Sequence, residues 1–288
     1  MPFFIPFAVG GLVLTALGLG VRKVLAEEAA ATPEDAHLRE ARERHRKALA
    51  ELRADRLRVR DRVASYGALQ ARVHAEVLVP FRALMERLER WGHVREAEVL
   101  DGEALDALRA VLGEAPSREA KRAWPLLGAG VTAPAALEPV LAWLDRGWLD
   151  EDAPPVMLDG VPLYEAASAR AVLAASAPDE GGRALDDAAG VLSRTTGFLG
   201  AMRTRLTTLE QRVSGLHGRA AVQLAYLDAA SFEEGGGEPR ERLARLAVLV
   251  GRLAVLLRVP VLSPEGRLAP ELPAWPEDEP AEAAPRRT

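Results

Sequence analysis

The sequence predicts an all-α protein: an N-terminal transmembrane helix, then a long antiparallel helical hairpin or coiled-coil bundle with a small helical head and at most short β-hairpins. Three observations predict it. Residues 2–21 carry no charge. Two later stretches place apolar residues every three or four positions over tens of residues, the repeat of one helix face. Strand signals are confined to a few residues beside Pro and Gly.

The first element is PFFIPFAVGGLVLTALGLGV, twenty residues at 2–21. As a helix it is long enough to cross about 30 Å of hydrocarbon. Pro2 and Pro6 fall at its start, where a missing N–H costs a helix nothing. A cleaved signal peptide is the competing reading, with Val24-Leu25-Ala26 before a cut. Signal peptides, however, carry positive charge ahead of the apolar run, and here Arg22 and Lys23 follow it. By the positive-inside rule, Arg22 and Lys23 set the membrane topology: a single-pass cell-membrane protein with its N-terminus outside and its body cytoplasmic. Gly11, Thr15 and Gly18 share one face of the span, either as a transmembrane helix-packing site or as a smooth lipid-facing patch.

Thr32-Pro33-Glu34-Asp35 combines a hydroxyl cap, a first-turn proline and acids at the positive end of a helix dipole, so a long helix starts there. Its stripe runs through Leu49, Leu52, Val59, Val63, Tyr66, Val73, Val77, Phe81, Leu84, Leu88 and Trp91, interrupted by Arg56 and Gln70. Pro80 should kink it around residues 76–80. A matching stripe follows at residues 183–230, through Leu185, Leu192, Leu199, Leu206, Leu209, Val213, Leu216, Leu224 and Leu227. The economical pairing is an antiparallel hairpin within one chain, and the same stripe also permits pairing between chains. After Gly235-Gly236-Gly237, Pro239 opens a helix that is apolar on nearly every side. Its burial sites are the groove between the long helices, which we favour, or the membrane interface.

Charge is segregated along the chain. Residues 32–98 hold 15 basic and 12 acidic residues, and residues 99–182 hold 6 basic and 14 acidic. The acidic region has helical patterns near 103–113, 117–124, 134–146 and 163–176 and reads as a compact head. Val156 to Leu163 contains Asp159-Gly160, a two-residue hairpin signal, and Ser263-Pro264-Glu265-Gly266 suits a tight turn. The expected segments are thus 1–31 anchor and juxtamembrane, 32–98 long helix, 99–182 acidic helical head, 183–262 returning long helix and apolar helix, and 263–288 tail. The Pro-rich acidic tail reads as disordered, with Trp275 as its partner-docking residue.

Composition narrows the function classes. The 288 residues are 49% hydrophobic and carry a net charge of −5, which argues against a nucleic-acid partner. There is no Cys, hence no thiolate nucleophile, iron–sulfur ligand or Cys-type zinc site. Arg supplies 34 of the 37 cations, and Asn is missing, the signature of GC-rich coding and, on our reading, of a bacterial source. The five histidines form no HExxH, and Glu34-x-x-His37 lacks the second copy that a di-iron bundle needs. No GxxxxGK[ST], GxGxxG or GxSxG occurs. The expectation is a non-enzymatic membrane-anchored scaffold, tether or partner-binding subunit, with no catalytic, cofactor-binding or metal-binding residues. Its partners are the bilayer, other proteins and, through the span or the long stripes, further copies of itself. The alternatives are a membrane-remodelling or pore-forming helical protein and, last, an enzyme without a recognisable motif.

Overall fold

The computed structural model describes residues 33–90, 96–113, 118–147, 157–158, 161–162, 178–229 and 237–270. The expected span at 2–21, with Gly11, Thr15 and Gly18, lies outside them, as do Arg22, Lys23, Trp275 and the helical pattern at 163–176. Among the described residues no helix is long and apolar enough to cross a membrane.

In chain order the elements are α1 (Pro33–Val73), a π-helical turn (His74–Leu78), α2 (Val79–Arg90), α3 (Glu96–Val99), α4 (Gly102–Leu112), α5 (Arg118–Leu127), a 3-10 turn (Ala135–Leu137) and α6 (Glu138–Arg146). A two-residue ladder, β1 (Met157–Leu158) with β2 (Val161–Pro162), precedes α7 (Pro178–Ala229) and α8 (Gly237–Arg258). The described residues are all-α apart from this antiparallel ladder, which sets Met157 opposite Pro162 and Leu158 opposite Val161.

Local chemistry accounts for the boundaries. Asp101 caps α4 by accepting from the Ala104 N–H at 2.8 Å. Gly147, at φ 81°, ends α6 in the left-handed conformation that favours glycine. Ahead of Pro80 the chain widens into the π turn, in which the Val79 N–H reaches back to the His74 carbonyl. A proline ring crowds the carbonyl four residues before it, and the wider turn accommodates that crowding as the helix continues into α2. In α7, Thr195, Thr196, Thr204, Thr207 and Thr208 each donate their hydroxyl to the carbonyl four residues back, so these poor helix formers carry no unsatisfied polar group.

The chain forms two compact units, Met1–Ala50 with Ala166–Gly190, and Glu51–Glu165 with Val191–Thr288. In the first unit Ala41, Ala48, Leu185 and Ala188 are buried. Gly182 lies against His37, whose ring is 3.1 Å from where a Cβ would stand, and Arg44 grips Asp186 with two hydrogen bonds of 2.9 and 3.0 Å.

In the second unit the pairs between α1–α2 and α7 are Asp55 with Arg203, Arg62 with Glu210, Glu76 with His217 and Arg87 with Asp228. Partner numbers rise together, so these helices run parallel, as the first unit's pairs do. This corrects the antiparallel hairpin expected from the sequence. An apolar stripe fits a partner of either direction, and the direction follows from the connection. Residues 91–177 are long enough to return the chain to the end where α1 begins.

The second unit's core joins Tyr66, Val73, Leu78, Phe81, Met85 and Leu88 to Leu199, Met202, Leu206, Leu209 and Val213. Onto this pack α4, α5 and α8. The last helix buries Leu243, Leu246, Leu249, Val250, Leu253, Leu256 and Leu257, chiefly against α4, while Val248 stays 52% exposed. There Gly251 admits the Ala104 methyl, which would stand 2.7 Å from an added Cβ. Beyond α8 the expected turn forms, with Gly266 N–H donating to the Ser263 carbonyl and Leu262 bridged to Leu268.

Gly251→Ala should therefore overpack α8 on α4 and lower stability by about 1–3 kcal/mol. Gly197→Ala on exposed α7, with nothing within 4 Å of the new methyl, should raise it by up to about 1 kcal/mol. Urea unfolding of both variants, followed by circular dichroism, reads the two opposite signs.

Candidate functional site

The notable side chains of the second unit fall into three groups: polar residues set into the α1 stripe, ion pairs beside it, and an uncharged strip along the outer side of α7.

Arg56 and Gln70, the two interruptions of the α1 stripe, stand two heptads apart. Arg56 donates to the carbonyls of Leu144 at 2.7 Å and Asp145 at 3.2 Å, the unsatisfied end of α6. Gly147 makes room for it, since a Cβ there would lie 2.6 Å from the guanidinium carbon. Gln70 is buried, and its amide faces the carbonyls of Trp124 and Leu257, both at a long 3.5 Å, where α5 and α8 end together. Those ends are closed further by Ala129 N–H to Leu257 O at 2.7 Å and by Val261 and Leu262 N–H to Leu126 O. Gly128, at φ 89°, makes this approach possible: a Cβ there would meet the Arg258 carbonyl oxygen at 2.2 Å. One turn before Gln70, burial pushes the Tyr66 phenol well above its ordinary range, with Gln70 opposing.

Glu210 is held by two side chains of α1. Ser65 Oγ donates to one oxygen and Arg62 to the other, each at 2.7 Å. Burial alone would raise its carboxyl, but these two hydrogen bonds and the Arg62 charge outweigh it and hold the group below the usual carboxylate range. A carboxylate held ionised with both oxygens occupied is a brace and a poor general base. In the first unit the Arg44 hydrogen bonds likewise hold the Asp186 carboxyl low.

Arg62, Glu210, Thr207, Gln211, Ser214 and Gly215 line a shallow groove of about 530 Å³. Around it runs an uncharged strip of α7, with Gly197, Thr204, Gln211, Ser214, Gly215, Gly218 and Val222 exposed, flanked by the exposed Arg212 and Arg219. Val222 is 68% exposed and Tyr226 40%, the latter with Arg242 stacked over its ring at 3.9 Å. Among the described residues no group of three or more His, Asp or Glu side chains is placed to hold a metal ion.

The residues singled out in the sequence for topology, Arg22 and Lys23, for span packing, Gly11, Thr15 and Gly18, and for docking, Trp275, are all outside the described residues. The residues that the structure brings forward are Arg56, Gln70, Glu210 and Arg205, which donates to the Ala269 and Pro270 carbonyls. The first two were visible as polar interruptions of a stripe. The other two carried no signal that separates them from solvated helix charges. No protein-family model, no curated protein and no solved structure matches the chain.

Arg56→Met keeps the apolar stem but leaves the end of α6 without its charged donor, and should cost about 1.5–3 kcal/mol, with Arg56→Lys recovering only part of it. A lowered carboxyl adds stability that is complete above the ordinary carboxylate range and lost as pH falls through the folded value. Glu210→Gln should therefore flatten the acid limb of the stability–pH curve relative to the parent protein. Urea midpoints taken from neutral to acid pH test this, and an unchanged limb would remove Glu210 from the account.

Proposed function

We propose that this chain is a membrane-anchored, non-enzymatic helical scaffold, tether or partner-binding subunit, with its body on the cytoplasmic side of a cell membrane. The observation that carries the proposal is the uncharged run at residues 2–21 followed at once by Arg22 and Lys23. In lipid a helix satisfies all its backbone groups internally, and basic residues are retained on the cytoplasmic side. Gly11, Thr15 and Gly18 give the span one face on which a second copy packs, and Trp275 gives the tail an aromatic anchor for a protein partner.

The body supports this reading by the way its polar groups are used. Arg56 and Gln70 hold helix ends, and Glu210 braces α1 to α7, so the engaged side chains position other parts of the chain. A tethered body of this kind acts by raising the local concentration of whatever it holds near the bilayer. The pore-forming alternative requires α8 to enter lipid. Its apolar residues are buried on α4, so entry costs that packing.

Carbonate extraction of membranes should leave the full-length product in the pellet. Protease should reach its C-terminal tail only from the cytoplasmic face, and purified protein should leave dye-loaded liposomes sealed. Release of intact product into the supernatant, or an N-terminal sequence beginning at Glu27, would overturn the anchor, and dye release would favour the pore.

A further inference from the structure

Arg205 on α7 donates to two successive backbone carbonyls, those of Ala269 and Pro270. The polypeptide thus leaves the described fold while clasped to the flank of α7, 18 residues before the end of the sequence at Thr288. Those residues, ELPAWPEDEPAEAAPRRT, hold five acids, Glu271, Glu277, Asp278, Glu279 and Glu282, against Arg286 and Arg287.

The helix to which the segment is clasped offers the complementary surface. Arg212 and Arg219 are exposed and follow Arg205 at seven-residue steps, which keeps all three on one side of α7 within an arc of about 40°. Next to that row lie Gln211, Gly215, Gly218 and Val222, exposed and uncharged. Gly215 and Gly218 have open space where a side chain would stand. In a helix each glycine costs about 1 kcal/mol relative to alanine, a cost that is offset where another group packs closely on the backbone.

We propose that residues 271–282 fold back on this face of α7, with Trp275 over Gly215 and Gly218 and the acidic run Glu277-Asp278-Glu279 against Arg219. The spacing agrees. From Arg205 to Gly215 is ten residues of helix, about 15 Å; from Pro270 to Trp275 is five residues of extended chain, at most about 17 Å. From Arg205 to Arg219 is about 21 Å, and from Pro270 to Glu277 about 23 Å. An indole buries 150–250 Å² when it docks, and the uncharged glycine face and the shallow groove beside it admit it without displacing a charge. The tail then occupies a surface of its own chain, and a protein partner that takes Trp275 must first displace it from α7. This inference goes beyond the proposed function and does not depend on the membrane anchor.

The absence of Cys makes the test direct, because an introduced pair provides the only thiols. Full-length protein in detergent carrying Gly215→Cys and Ala274→Cys should close an intramolecular disulfide under mild oxidation. It should do so at least about tenfold faster than a control pair, Ala83→Cys with Ala274→Cys, because docking raises the effective concentration. Adding Arg212→Glu and Arg219→Glu should return the rate to that of the control, and reversing Glu277, Asp278 and Glu279 to Lys in that background should restore it. Restoration also shows that the arginine variants are folded. Equal rates for the two pairs, indifference to the charge reversals, or disulfide-linked dimers in place of monomers would each overturn the proposal, the last by making a second copy the occupant of this face. Success or failure here leaves carbonate extraction unaffected, so the two readings fail separately.

Discussion

A helix end is a row of carbonyl groups without partners, and the second unit is organised around satisfying three such rows at once. α5, α6 and α8 all finish against α1. A purely apolar stripe on α1 buries side chains well but offers nothing to a carbonyl that loses its water. Arg56 and Gln70 break the stripe at the two places where helix ends arrive. Around them the backbone is shaped to fit: Gly147 makes room for the guanidinium, Gly128 lets α5 meet α8, and Gly67 admits Pro125, whose ring is 3.0 Å from where a Cβ would stand. Each of these glycines is the local answer to a demand set by a neighbouring helix end.

The helix pattern was legible in the sequence because it is local. Periodicity, caps and prolines placed α1, α4, α6, α7 and α8 close to where they lie, and Ser263 to Gly266 marked the turn beyond α8. The relative direction of the long helices was not legible. Spacings of three and four residues describe which side of a helix is apolar, and that side is the same whichever way the partner runs. The information sits in the offset between charged partners, near 145 residues for Arg44 with Asp186, Arg62 with Glu210 and Arg87 with Asp228, and it becomes readable only when the pairs are known. Pro80 was legible as a disturbance, but the wider turn that absorbs it was not.

The candidate site divides in the same way. Arg56 and Gln70 stood out because a charge or amide in an apolar register is unusual. Glu210 and Arg205 did not, because a helix with a charge every few residues hides the few that are bound. Arg abundance compounds this, since a GC-rich coding bias supplies arginine wherever a cation is tolerated. The strip of α7 beside Arg212 and Arg219 is the reverse case, a run of exposed positions without charge in a chain that is 27% charged. Its meaning depends on knowing which residues point outward.

The parallel arrangement also governs the order in which the protein is made. Among the described residues, the pairs Arg44–Asp186, Asp55–Arg203, Arg62–Glu210, Glu76–His217 and Arg87–Asp228 between the long helices join positions 141–148 apart. On the ribosome, therefore, α1 and α2 are complete, with Tyr66, Phe81 and Leu88 uncovered, well before the residues of α7 that bury them have been synthesised. A chain whose contacts are this distant in sequence folds slowly and spends its early life with an unpaired greasy helix.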